Sequence, residues 1–158
     1  WKAREFDMPT RFIELAGEIN TNMPYYVLQK TVDALNSHGK SVKGANVLIL
    51  GVAYKKDIDD MRETPALKLI ELLQDKEAQV DYYDPYIPVL PFTRKYQYEM
   101  NSIDLNASTV KNYDCVIVVT DHTNVDYELV KNNAALIIDT RNVYNLNGRM
   151  GDGNIVKA

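Results

Sequence analysis

Asn46-Val47-Leu48-Ile49-Leu50-Gly51 and Cys115-Val116-Ile117-Val118-Val119-Thr120-Asp121-His122 are the two stretches that decide the fold. Each begins with an apolar run that shows no alternation with polar residues. Such runs mark strands buried on both faces, as in a parallel sheet with helices on either side. Working outward, Thr64-Pro65 is a helix start, with Thr as N-cap and Pro in the first turn. That helix continues through Ala66, Leu67, Ile70 and Leu73. Residues 79–83 form a second strand, halted by Asp84-Pro85, and residues 136–138 a fourth, with a short helix over 126–132 before it. The stretch 87–111 carries Pro88 and Pro91 and shows no clear period; a strand and a helix are expected within it. Alternating buried strands and helices imply right-handed crossovers. The expected class is α/β, a Rossmann-like doubly wound parallel sheet.

Ahead of this domain lies a helical arm, residues 1–40, with the Rossmann-like domain over 41–158. Phe12, Leu15, Ala16, Ile19 and Met23 recur at helical spacing. Pro24 is expected to break that helix and open a second one reaching about Asn36, with Gly39 as the stop. Two apolar-striped helices before a complete domain carry surplus hydrophobic surface, so a homodimer through the arm is expected. The chain opens Trp1-Lys2-Ala3-Arg4-Glu5, with no initiator methionine and already in helix-forming composition. A piece of a longer protein is the expectation.

Composition narrows the function. Of 158 residues, 46% are hydrophobic and 25% charged, an ordinary globular balance for one domain with an arm. The formal charge of -4 disfavours nucleic acid as a partner, because non-specific binding to phosphates needs a basic surplus. The apolar run from Val47 to Tyr54 is far shorter than the ~20 residues of a membrane helix, and the N-terminus lacks the order of a signal peptide. A cytoplasmic protein with no membrane partner is expected. One cysteine excludes an intrachain disulfide, and two histidines without ligand spacing exclude a familiar metal site.

In a doubly wound sheet, ligands bind outside the carboxyl ends of the strands. That rule selects the loop from Gly51 to Glu63 after the first strand, Asp84 after the second, Asp121 and His122 after the third, and Arg141 after the last. Lys55, Lys56, Arg62 and Arg141 place cations on one edge of an acidic chain, a set suited to phosphate or diphosphate. The same loop also holds Asp57, Asp59, Asp60 and Glu63, so a charge-balanced surface loop is the competing interpretation. No G-x-G-x-x-G follows the first strand; Gly51 stands alone before a long loop. A primary NAD site is therefore not expected here. Cys115, inside an apolar strand, is expected to be an inert core thiol rather than a nucleophile. Tyr82, Tyr83 and Tyr86 suit half-buried sheet and rim positions.

Several segments together resemble the C-terminal part of the UDP-glucose/GDP-mannose dehydrogenase family. They are Gly51-Val52-Ala53-Tyr54-Lys55-Lys56-Asp57 with Asp60-Met61-Arg62-Glu63-Thr64-Pro65, then Tyr83-Asp84-Pro85, Thr120-Asp121-His122 and Asp139-Thr140-Arg141. The opening Trp1–Glu5 and Phe12-Ile13-Glu14-Leu15-Ala16-Gly17-Glu18-Ile19-Asn20 look most like the branch acting on UDP-N-acetylglucosamine. The resemblance implies two Rossmann domains joined by a central helical segment. The whole enzyme would oxidise the C6 alcohol of a nucleotide sugar to a carboxylate, using NAD and a cysteine thiohemiacetal. The glycine-rich NAD loop and that cysteine would belong to a preceding domain, leaving no catalytic residue here; Cys115 does not match it. The resemblance further implies that Tyr54 and Lys55 contact the UDP-sugar, Arg141 its nucleotide end, and that Arg62 reaches toward NAD. The alternatives are a stand-alone nucleotide-binding or regulatory module and a dimerisation scaffold without catalysis.

Overall fold

The computed structural model describes residues 11–93, 95–145 and 151–158. The opening Trp1–Glu5 segment lies outside the described residues. The elements in order are α1 (Arg11–Ser37), β1 (Asn46–Leu50), α2 (Pro65–Asp75), β2 (Gln79–Tyr83), α3 (Ala107–Val110), β3 (Cys115–Val118), α4 (Tyr127–Asn133), β4 (Ile137–Asp139), β5 (Gly151–Asp152) and β6 (Ile155–Lys157). Among the described residues six strands lie in the order β2-β1-β3-β4-β6-β5, parallel apart from the terminal β5. This is the expected Rossmann-like doubly wound α/β fold.

The unbroken apolar strands follow from burial on both faces. Val47 and Ile49 of β1, with Cys115, Ile117 and Ile138, join one core layer against α1 and α2. Leu48 and Leu50, with Val116, Val118 and Ile137, join the other, against Val110 of α3 and Val130 of α4. Successive residues of a strand point to opposite faces, so the central strands are apolar at every covered position, Val47 to Leu50 in β1 and Cys115 to Val118 in β3. Cys115 is fully buried, and burial pushes its thiol well above the ordinary range, which suits an inert core residue.

Three sequence expectations are corrected. Pro24 does not divide the arm: α1 is one 27-residue helix with Pro24 inside it. Proline removes only the bond to the Asn20 carbonyl, and that residue is exposed, where water can take the missing donor's place. The helix ends where Gly39 predicts. Gly39 has a φ of 70°, its N–H donates to the Asn36 carbonyl, and Lys40 N–H donates to the Leu35 carbonyl, a Schellman ending. Second, the stretch 87–111 holds the four-residue α3 and two isolated bridges, Tyr82 to Ser102 and Val89 to Asn101, but no further strand among the described residues. Third, Tyr82 is fully buried rather than half-buried, its hydroxyl donating to the Ile87 carbonyl at 3.0 Å. Strands β5 and β6 were not anticipated.

The halves of α1 differ. Val27, Thr31, Ala34 and Leu35 are buried in its C-terminal half. In the N-terminal half Phe12 is 90% exposed, and Leu15 and Ile19 are each 52% exposed. No helix among the described residues is long and apolar enough to cross a membrane.

Candidate functional site

The chain leaves β1 for β2 on one side and places β3 on the other, so the order reverses between β1 and β3. Ligand crevices form outside the carboxyl ends of such a pair. There lies a cleft of about 370 Å³, lined by Lys56, Asp121, His122, Thr123, Tyr127, Arg141, Asn142 and Val143. These residues come from the loops after β1, β3 and β4 and from the first residue of α4.

Buried carboxylates hold these loops in place. Asp84, at the end of β2, accepts on Oδ2 from the Val52 and Ala53 amides at 2.7 and 3.1 Å. Its Oδ1 accepts from the Tyr86 and Ile87 amides at 2.8 and 3.2 Å. His122 connects this cluster to the far end of the β1 loop. Its Nδ1 accepts from the Asp57 amide at 2.9 Å, which leaves the ring proton on Nε2, donating to Asp84 Oδ2 at 3.0 Å. Asp57 sits in the left-handed region at φ 60°, where Asp is tolerated. Its carboxylate accepts from the Thr123 hydroxyl and amide at 2.6 and 2.7 Å. Those two bonds hold it below the usual carboxylate range. Asp139 plays the same part after β4. It is fully buried and accepts from the Arg141, Val143 and Tyr144 amides at 3.0–3.1 Å, which fixes the turn carrying Arg141.

At the cleft Asp121 lies between two cations, with Arg141 Nε at 3.1 Å and Lys56 Nζ at 3.9 Å. Of the residues expected to bind ligand, Arg141 lines the cleft. Tyr54 and Lys55 lie on the β1 loop outside its lining, with Lys55 Nζ 5.5 Å above the Tyr54 ring. Arg62 is exposed and grips Asp60 through Nε and Nη2 at 2.8–3.2 Å. Its hydrogen bonds lower the Asp60 carboxyl to about 2. Of the two adjacent lysines that the carboxyl-edge rule put on this edge, Lys56 lines the cleft, whereas the family resemblance singles out Lys55. Tyr127 and Asn142 also went unnoticed, although the carboxyl-edge rule reaches both: one opens the helix after β3 and the other follows β4. His122, dismissed as a metal ligand, is a positioning residue.

Beside the cleft, the Thr120 carbonyl oxygen stands 2.3 Å from where a Gly51 Cβ would lie, so the turn after β1 packs directly against the end of β3.

An α/β sheet with a cation-bearing cleft at its switch point defines a domain that receives its ligand at the carboxyl edge. Residues 48–146 match the UDP binding domain of the UDP-glucose/GDP-mannose dehydrogenase family. The chain belongs to that family. UDP-N-acetyl-D-mannosamine dehydrogenase of Methanococcus vannielii is 32% identical over 155 residues, covering 93% of this chain and 34% of that protein. UDP-glucose 6-dehydrogenase TuaD of Bacillus subtilis is 32% identical, covering 97% of this chain and 33% of that protein. The solved UDP-D-ManNAc dehydrogenase of Pyrococcus horikoshii superposes with a TM-score of 0.74 at 25% identity, covering 98% of this chain and 35% of that one. The chain thus spans about a third of the length of the relatives it matches.

Proposed function

We propose that the chain is the UDP-sugar-binding part of an NAD-dependent nucleotide-sugar 6-dehydrogenase. The complete enzyme would oxidise the C6 alcohol of UDP-N-acetylglucosamine, or of a related UDP-sugar such as those named for its relatives, to the uronate. The observation that carries this reading is the pairing of Arg141 and Lys56 around Asp121 in a switch-point cleft of a UDP-binding-domain fold. A diphosphate would compete with one carboxylate for two cations and bring more negative charge than it displaces. On this reading Arg141 holds the nucleotide end, Tyr54 and Lys55 contact the UDP-sugar, Lys55 within reach of its diphosphate, and Arg62 points across a cleft toward NAD carried by a preceding domain. The chain itself then contributes no catalytic residue.

Calorimetry with UDP tests the site. Each charge-assisted contact contributes roughly 1.5–3 kcal/mol, so Arg141→Ala and Lys55→Ala are each expected to weaken UDP binding about tenfold or more. Lys76→Ala is the control: Lys76 caps the C-terminus of α2, at the opposite edge of the sheet. Binding that both alanine variants retain at full strength rejects the assignment.

The exposed stripe of Phe12, Leu15, Ile19 and Met23 supports a homodimer through the arm. Light scattering at high micromolar concentration is expected to report a dimer. Removing residues 1–23, which spares the buried half of α1, is expected to give a monomer. A monomeric intact chain refutes the arm's role.

A further inference from the structure

Among the described residues, the Tyr127 hydroxyl is the only fully buried side-chain polar atom without a hydrogen-bond partner. It belongs to a residue that lines the cleft beside Lys56, Asp121 and Arg141. Buried polar groups are almost always paired, and a position that needed only an apolar ring would be served as well by phenylalanine. The ring is also held in place. It meets Tyr144 edge-on, with centroids 6.3 Å apart at 89°, and the Tyr144 hydroxyl donates to the Tyr127 carbonyl at 3.1 Å. Tyr127 opens α4, whose N-cap Asp126 accepts from the Leu129 amide at 2.9 Å. Burial, followed by the nearby carboxylate of Asp121, raises the phenol well above its ordinary range, so at neutral pH it keeps its proton and is a donor.

We infer that Tyr127 is a ligand-binding residue whose hydroxyl donates a hydrogen bond to an acceptor oxygen of the nucleotide held in this cleft. The inference rests on the UDP-site reading and adds a contact to it. An orphan donor waiting for a ligand has a signature that a structural hydroxyl lacks: its removal harms binding without harming the unliganded fold.

The experiment compares Tyr127→Phe, Arg141→Ala and the unaltered chain by UDP calorimetry and by thermal unfolding without ligand. For Tyr127→Phe, UDP affinity is expected to fall roughly tenfold, the value for a hydrogen bond to a charged acceptor, while the unliganded melting temperature holds or rises. If Arg141→Ala loses affinity but Tyr127→Phe binds UDP as well as the unaltered chain, the Tyr127 contact is overturned and the UDP site stands. If Tyr127→Phe melts earlier without ligand, the hydroxyl is structural and the inference is likewise overturned. If the unaltered chain ignores UDP, or Arg141→Ala binds it fully, the UDP site itself falls and takes this contact with it.

Discussion

Asp84→Ala is expected to leave the domain unfolded or barely folded. The Asp84 carboxylate receives five N–H groups: the amides of Val52, Ala53, Tyr86 and Ile87, and Nε2 of His122. Both side chains of the Asp84–His122 pair are fully buried, so water cannot replace the lost acceptor. A buried donor left unmade costs about 1–3 kcal/mol, so even the low end for five donors is roughly 5 kcal/mol. A domain's whole stability is only about 5–15 kcal/mol. Asp84→Asn is expected to be milder but still severe, since its amide group turns a donor toward N–H donors. Asp81→Ala is the comparison: that exposed carboxylate takes one bond, from the Tyr113 hydroxyl at 2.9 Å, and its loss is expected to cost about 1 kcal/mol. Urea unfolding measures all three. Should Asp84→Ala prove as stable as Asp81→Ala, the carboxylate is not what holds the β1 loop.

This clamp also shows where sequence legibility ends. Strands β1 and β2 were recoverable to the residue, and helix α2 at its start. Two-sided burial writes itself as an unbroken apolar run in β1, and Thr64 and Pro65 mark a helix start by their own chemistry, with Thr64 Oγ1 accepting from the Ala66 amide. The segment between β2 and α3 has no such signal because its order comes from distant partners. Leu90 N–H donates to the Met100 carbonyl, Ser102 N–H to the Pro88 carbonyl, and Ser102 Oγ accepts from the Asp84 amide. Those bonds have no period for a sequence to display. Strand β6 offers only Ile155 and Val156 as apolar residues, too short a run to separate from a loop. Its place beside β4 follows from register, not composition.

The site divides along the same line. Topology and charge sufficed to put Arg141 and the Lys55-Lys56 pair on one edge. Which lysine faces the cleft depends on an irregular loop whose path is set by Asp57 in a left-handed conformation and by the Tyr54 amide donating to the Asp60 carbonyl at 2.7 Å. Adjacent residues in such a loop diverge, so spacing alone cannot choose between them. The positioning roles of Asp84 and His122 join the ends of β2 and β3 on either side of β1. They become visible only once strand order is known.

Gly51→Ala is the second large effect, and it separates two reasons for a glycine. Gly51 has a φ of 79°, a region that L side chains disfavour by about 1–2 kcal/mol. A Cβ there would also stand 2.3 Å from the Thr120 carbonyl oxygen, 2.7 Å from its Cβ and 2.9 Å from its carbonyl carbon. Thr120 cannot easily withdraw. Its amide donates to the Leu50 carbonyl at 3.2 Å and its hydroxyl to the Ala53 carbonyl at 2.6 Å, while Gly51 N–H is tied to the Tyr83 carbonyl at 2.9 Å. Relieving the clash therefore means parting β1 from β3 at their carboxyl ends, where Asp121 and His122 begin the wall of the cleft. The expected loss is on the order of 4 kcal/mol or more, the range reached when overpacking and backbone strain combine. Gly44→Ala supplies the contrast, because Gly44 has a φ of 78° with no atom within 4 Å of an added Cβ. It carries the dihedral penalty alone and is expected to cost only about 1–2 kcal/mol. Equal urea midpoints for the two alanine variants rule out close approach to Thr120 as the reason for Gly51. A midpoint far lower for Gly51→Ala, with UDP binding lost in whatever still folds, ties this one hydrogen atom to both the sheet and the cleft at its edge.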